Sequence, residues 1–152
     1  MEKRCIVSAC LAGKNCRYDG KSQKVDYVCD LVNRGIAISV CPEQMGGLDT
    51  PRVPSERVGD LVMSKEGVDV TEEFEFGAYE ALNIAQEFEI DYAILKSDSP
   101  SCGKGRIYDG TFTGTFCEGN GFTTDVLLEN GIVVMDENEG KKWYDKYHKK
   151  GK

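Results

Sequence analysis

Arg4-Cys5-Ile6-Val7-Ser8-Ala9-Cys10 is a short, apolar run with β-branched residues, and it reads as a first strand. A polar loop follows from residue 11 to about 24, with Gly13 and the turn pair Asp19-Gly20. Residues 25–34 then set Val25, Val28, Cys29 and Val32 at helical spacing, and Gly35 is a stop signal. Residues 36–40 read as a second strand. It ends at Cys41-Pro42, because proline has no amide hydrogen to give to a central ladder. Strand, helix, strand is the unit from which parallel sheets are built.

Outward from this unit the alternation continues. Residues 43–57 are long and irregular, with Gly46-Gly47, Pro51 and Pro54, and loops of this length are usually functional. Residues 61–64 and 68–70, divided by Gly67, predict a small hairpin. Thr71 is placed as an N-cap, with Glu72 and Glu73 in the first turn. Phe74, Ala78, Ala81, Leu82, Ala85 and Phe88 then share one face of a helix over 72–89. Residues 92–95 are a third strand that opens into Lys96-Ser97-Asp98-Ser99-Pro100-Ser101-Cys102-Gly103. Beyond a Gly-, Thr- and Phe-rich segment (109–121), residues 123–129 predict a helix and 132–135 a fourth strand. The tail, 140–152, holds six lysines with Trp143, Tyr144 and Tyr147, and reads as a solvated terminal helix. The fold class expected is α/β, Rossmann-like, with a mostly parallel sheet between two helical layers.

Composition bounds the function. With 152 residues the chain suits one domain, 1–152, with a sizeable core. A net charge of −7 argues against a general nucleic-acid coat and leaves a local basic patch open, which makes a nucleic-acid partner the lesser expectation. Only Cys5-Ile6-Val7 is apolar near the start, short of a secretory signal, and no stretch approaches a membrane span. The expected address is the cytosol. No phosphate loop, dinucleotide fingerprint or nucleophile elbow occurs.

Seven cysteines remain to be explained, and an odd number cannot all pair within one chain. Cytosolic thiols stay reduced, so packing, metal ligation or catalysis are their uses. Cys10, Cys41 and Cys102 lie at or just beyond the C-terminal ends of the first three strands. Parallel sheets bind ligands at that edge, so the fold should gather all three. Cys5 and Cys29 read as packed side chains, and so does Cys117 in its Phe-Cys-Glu-Gly turn. Cys16, before Arg17, is a fourth ligand, a reactive thiol or a packed one. Soft thiolates suit zinc or iron–sulfur clusters. The only closely spaced pair is Cys5 and Cys10, of which Cys5 reads as packed, and the only histidine is His148 in the tail, which disfavours structural zinc. A three-cysteine zinc–water site and a [4Fe-4S] cluster with one open iron both remain.

Three stretches carry a resemblance. They are Ser8-Ala9-Cys10-Leu11-Ala12-Gly13-x-x-Cys16-Arg17-Tyr18-Asp19-Gly20, Cys41-Pro42-Glu43-x-x-Gly46-Gly47-Leu48-x-x-Pro51-Arg52-x-Pro54, and Ser99-Pro100-Ser101-Cys102-Gly103. With Ile107-Tyr108-Asp109-Gly110-Thr111-Phe112 they closely resemble the thiouracil desulfidase family, and the similarity runs nearly the whole chain up to Met135. The resemblance implies a Rossmann-like domain with a [4Fe-4S] cluster on Cys10, Cys41 and Cys102. It also implies removal of sulfur from thiolated pyrimidines such as 2-thiouracil. Some relatives carry a further C-terminal domain and act on thiolated RNA components; its lack in this sequence favours a free base or nucleoside. Water attacking a thiocarbonyl carbon needs a base, and Glu43, two residues after Cys41, is the expected one, with Asp98 sharing the role. Ser101 and Ser99 beside Cys102 are expected to hydrogen-bond the ring carbonyl or the water, and Arg17 and Arg52 to orient the site or to close loops onto carboxylates.

Overall fold

The computed structural model describes residues 3–149. In chain order the elements are β1 (Cys5–Ser8), α1 (Asp26–Asn33), β2 (Ala37–Val40), α2 (Pro42–Met45), β3 (Ser55–Val58), β4 (Leu61–Ser64) and α3 (Thr71–Glu87). There follow β5 (Tyr92–Ile94), β6 (Arg106–Tyr108), β7 (Phe116–Glu118), α4 (Phe122–Glu129), β8 (Val133–Met135) and α5 (Glu137–Tyr147).

β2, β1, β5 and β8 form one sheet in that order, every pair parallel. The strands alternate as a two-sided sheet must. Cys5 and Val7 of β1 point to one face, where Tyr27, Val28 and Leu31 of α1 meet Trp143 and Tyr144 of α5. Ile6 points to the other, against Ala78, Ala81, Leu82 and Ala85 of α3 and Val126 and Leu127 of α4. The result is three layers, α/β/α, with helices on both faces. After β2 the chain crosses to the opposite side of β1 to lay down β5. β1 and β5 therefore flank the point where strand order reverses, the position at which such sheets bind ligands.

Several local expectations change. β1 stops at Ser8, and Ala9–Ala12 turns as a 3-10 helix, so Cys10 sits in a turn rather than in the strand. The stretch over 43–57 is not wholly irregular: most of α2 and most of β3 lie in it. β4 pairs with β3, antiparallel, and meets 68–70 through a Met63–Asp69 bridge and hydrogen bonds from Ser64 N to Val68 O, from Val68 N to Ser64 Oγ and from Val70 N to Val62 O. Thr71 is the first helical residue of α3, not its cap; its hydroxyl instead accepts from Val62 N at 2.9 Å. The segment over 109–121 hides a strand, β7, paired with β6. Cys117 lies on that strand and is exposed, so the packing reading fails for it, and Cys29 is only half-buried.

The lysine-rich tail is also more than a solvated helix. Asp136 caps α5 through a reciprocal capping box with Glu139. One face then buries Trp143 and Tyr144, while lysines occupy the other. Tyr144 donates to Asp30 at 2.7 Å, which ties α5 to α1. Residues 150–152 of that tail lie outside the described residues.

Candidate active site

A cavity of about 310 Å³ opens at the C-terminal edge of the sheet. Its lining comes from the turn after β1, the start of α2, the loop after β5, and the β3–β4 and β6–β7 hairpins. Cys10, Cys16, Cys41 and Cys102 all line it. The three strand-end thiols are thus brought together, and Cys16 joins them.

Each thiol has a local reason for its place. The 3-10 turn ends at Gly13, whose φ of 93° closes it through Gly13 N to Cys10 O. Cys41 occupies the N-cap position of α2, with Pro42 at the first helical residue. α2 is seated by contact with α3 at two glycines. A Cβ on Gly77 would lie 1.8 Å from Pro42 O, and one on Gly46 would lie 1.9 Å from Glu73 O. Cys102 N donates to Ser99 Oγ at 2.6 Å, and its carbonyl accepts from Thr124 Oγ1 at 2.9 Å. The first amides of α4 are satisfied by the same loop, through Pro100 O and Ser101 O.

Cys16, Cys41 and Cys102 stand in a setting that holds their protons. Burial pushes Cys102 up to about 12, against hydrogen bonding from the Ser8 and Ser101 hydroxyls. Cys41 is raised by its hydrogen bond with Cys16 and then by burial, and Cys16 is raised chiefly by its hydrogen bond with Cys10. Among the described residues no group of three His, Cys, Asp or Glu side chains is closed around a single-ion position. The thiols instead edge a shared cavity. A soft, positively charged group seated there would take the thiol protons' place, and this donor set fits an iron–sulfur cluster.

The charged groups divide into those at the cavity and those spent elsewhere. Glu43 lines the cavity, and its Oε1 accepts from Arg52 Nε at 3.1 Å and Nη2 at 3.0 Å. Oε2 has no hydrogen-bond partner among the described residues. Burial raises the Glu43 carboxyl above the ordinary carboxylate range, and the guanidinium opposes this without cancelling it. Arg52 also donates to Cys16 O, Asp49 O and Thr50 Oγ1, so it braces the cysteine loop as well as the acid. Arg17 lines the rim and is held by Gln23 at 2.9 Å. Ser99 lines the cavity too, with its oxygen taken by the Cys102 amide and its proton left to give.

Two expected site residues have other duties. Ser101 is buried, bonds Thr123 Oγ1 at 2.9 Å, and does not line the cavity; it touches the site only through the Cys102 thiol. Asp98 lines the cavity but gives both oxygens to Arg106, at 2.9 and 3.0 Å, and so clips the β6–β7 hairpin to the loop after β5. Sequence reasoning passed over Glu56, Tyr108 and Phe112 as site residues. Glu56 is 7% exposed and accepts from Gly110 N and Phe112 N at 2.9 and 3.1 Å. Nothing in its own neighbourhood, Pro54-Ser55-Glu56-Arg57, announces that contact. Phe112 was visible only as a residue of the Ile107–Phe112 motif.

Comparison with known proteins fits this arrangement. A family model described as 2-thiouracil desulfurase matches residues 5–139, which include all four cavity cysteines. The chain belongs to that family. Its members include desulfurizing enzymes by the family's own description. A solved structure described as the [4Fe-4S]-dependent thiouracil desulfidase TudS is 45% identical, with a TM-score of 0.89 over 93% of this chain and 95% of that one. The uncharacterized protein YbbK of Bacillus subtilis (strain 168) is 40% identical over 144 residues, 88% of this chain and 95% of its own. The family's fold is thus the α/β/α sandwich described above. Among the described residues no helix is long and apolar enough to cross a membrane.

Proposed function

We propose that this protein is a [4Fe-4S]-dependent desulfidase that hydrolyses the thiocarbonyl of thiolated pyrimidines such as 2-thiouracil. The observation that carries the proposal is the gathering of three strand-end thiols and the unspent Oε2 of Glu43 around a single cavity. Family membership and the similarity to TudS support the same reading.

Cys10, Cys41 and Cys102 would hold the cluster, with Cys16 beside them. When bound, such a cluster supplies a soft Lewis acid for the thiocarbonyl sulfur and for the departing hydrosulfide. The chain's own residues do the rest. Glu43, kept basic by burial and held by Arg52, takes a proton from water through Oε2. The water oxygen forms a bond to the ring carbon as the carbon–sulfur double bond opens. The second water proton then passes to sulfur, the remaining carbon–sulfur bond breaks, sulfur leaves with its electron pair as hydrosulfide, and Glu43 returns its proton to solvent. Substrate carbon exchanges sulfur for oxygen with no net change in oxidation state. Ser99 donates to the ring carbonyl, Arg17 lines the entrance, and Ser101 fixes the Cys102 thiol from behind. Asp98 keeps the hairpin in place.

The test is sulfide release by anaerobically reconstituted protein from 2-thiouracil, a thiolated nucleoside and thiolated RNA in parallel. Turnover of the free base or nucleoside is expected. A fully iron-loaded protein that releases sulfide from none of them would make the chain a cluster-binding module without this activity.

A further inference from the structure

We infer that the β6–β7 hairpin is a recognition roof, in which Glu56 fixes the loop and Phe112 offers its ring as the stacking wall for a flat heteroaromatic substrate. The inference rests on the desulfidase reading of the cavity and names how that cavity selects its substrate.

The cavity's floor and its roof differ in chemistry. Thiols, Glu43 and Arg52 form the floor, while Tyr108 and Phe112 bring aromatic surface from the hairpin. Tyr108 is already stacked on Phe116, with ring centroids 4.6 Å apart and planes at 27°. Arg106 covers Phe116 at 3.9 Å. Phe112, by contrast, lines the cavity half-buried and has no ring or cation partner among the described residues. An aromatic side chain with no ring or cation partner of its own, lining a cavity of this size, is suited to a planar π-system.

The loop is built to hold that ring. Phe112 has a φ of 59°, a conformation that a bulky residue keeps only when its surroundings impose it. Glu56 imposes it, by accepting both the Gly110 and Phe112 amides on one buried oxygen. Gly110, with φ of 94°, presses the loop onto β3, where a Cβ would lie 2.1 Å from Val58 Cγ2. Asp109 accepts from Thr111 N and its own amide donates to Thr115 O, which closes the loop on itself. A carboxylate whose hydrogen bonds among the described residues all go to one loop's amides positions that loop. Glu56 is therefore a positioning residue, and Phe112 determines specificity.

The experiment compares a planar ligand with its puckered counterpart. Uracil and 5,6-dihydrouracil present the same ring carbonyls and amides, but only uracil offers a flat π-face. Calorimetric titration of the iron-loaded protein should show a preference for uracil. Phe112→Ala should weaken uracil binding on the order of 10- to 100-fold, as loss of one base–aromatic stack does, and should collapse the preference. Phe112→Leu keeps bulk without a π-face and should behave like Ala; Phe112→Tyr should keep the preference. Glu56→Ala should mimic Phe112→Ala, whereas Glu56→Gln, which keeps an acceptor oxygen, should restore binding. In turnover the loss should fall on KM for 2-thiouracil more than on kcat. Phe112→Ala and Phe112→Leu with wild-type affinity and an unchanged uracil preference would overturn the roof. A wild-type protein that turns over no thiolated pyrimidine would overturn the desulfidase reading instead, so the two failures are separable.

Discussion

Glu43→Gln separates the proposed chemistry from the scaffold. The amide keeps the shape of the acid and an oxygen for Arg52, but cannot take a proton. Loss of a general base costs roughly 10²–10⁴ in rate, about 2.7–5.5 kcal/mol in barrier. The substitution also turns a part-buried ion pair into a neutral contact; the Arg52 side chain is 10% exposed. Arg52 retains Cys16 O, Asp49 O and Thr50 Oγ1, so its charge stays solvated by the protein. The stability lost should be about 1.5–3 kcal/mol, the range for a hydrogen bond to a charged group. That is a few degrees in Tm for a chain of this length and leaves the fold populated at 25 °C. The assay is steady-state sulfide release from 2-thiouracil, with iron content and melting temperature measured on the same samples. Turnover should fall by the stated factor in protein that is folded and fully loaded. Wild-type turnover in such a sample refutes the reasoning: Asp98 gives both oxygens to Arg106, so the role would pass to Glu56, which also lines the cavity and whose Oε2 has no hydrogen-bond partner among the described residues.

Three further outcomes are expected. Cys10→Ser, Cys41→Ser and Cys102→Ser should each lose the cluster, read as iron per chain after anaerobic reconstitution, whereas Cys5→Ser, in the core at 0% exposure, should lower Tm with iron retained. Gly77→Ala should lower both Tm and iron content, since a Cβ placed 1.8 Å from Pro42 O must push α2 away and take Cys41 with it; normal iron loading would break that link. Trp143→Ala should cost about 3–5 kcal/mol by thermal or urea unfolding, because the indole is 7% exposed and packs on Tyr92 and His148; an unchanged midpoint would mean that α5 is dispensable.

The four sheet strands and the helices between them were legible because their apolar residues repeat at the period of the element. α3 shows it most plainly, since it buries one face, whereas β1 was legible as an unbroken apolar run buried on both faces. Thr71 failed as a cap because its hydroxyl found a better partner in Val62, a contact across the β4–α3 corner that no local pattern encodes. β7 was missed because its three residues are all exposed and show no buried face to read. The terminal helix was undervalued because its charges dominate the composition, while its two large buried aromatics lie on a single stripe.

For the site, the sequence by itself determined the chemistry on offer. Three cysteines followed predicted parallel strands, and a parallel sheet gathers strand ends at one edge whatever the loops between them do. Glu43 was legible for the same reason, since a single proline separates it from Cys41. What only the tertiary structure decided is which side chains are free to act. Asp98, Ser101 and Glu56 look alike on paper as polar residues near motifs. Their roles were set by Arg106, by Thr123 and by the amides of a distant hairpin, partners 8, 22 and more than 50 residues away in sequence. A polar group's availability depends on who else has claimed its lone pairs and protons, and that claim is a property of the folded chain.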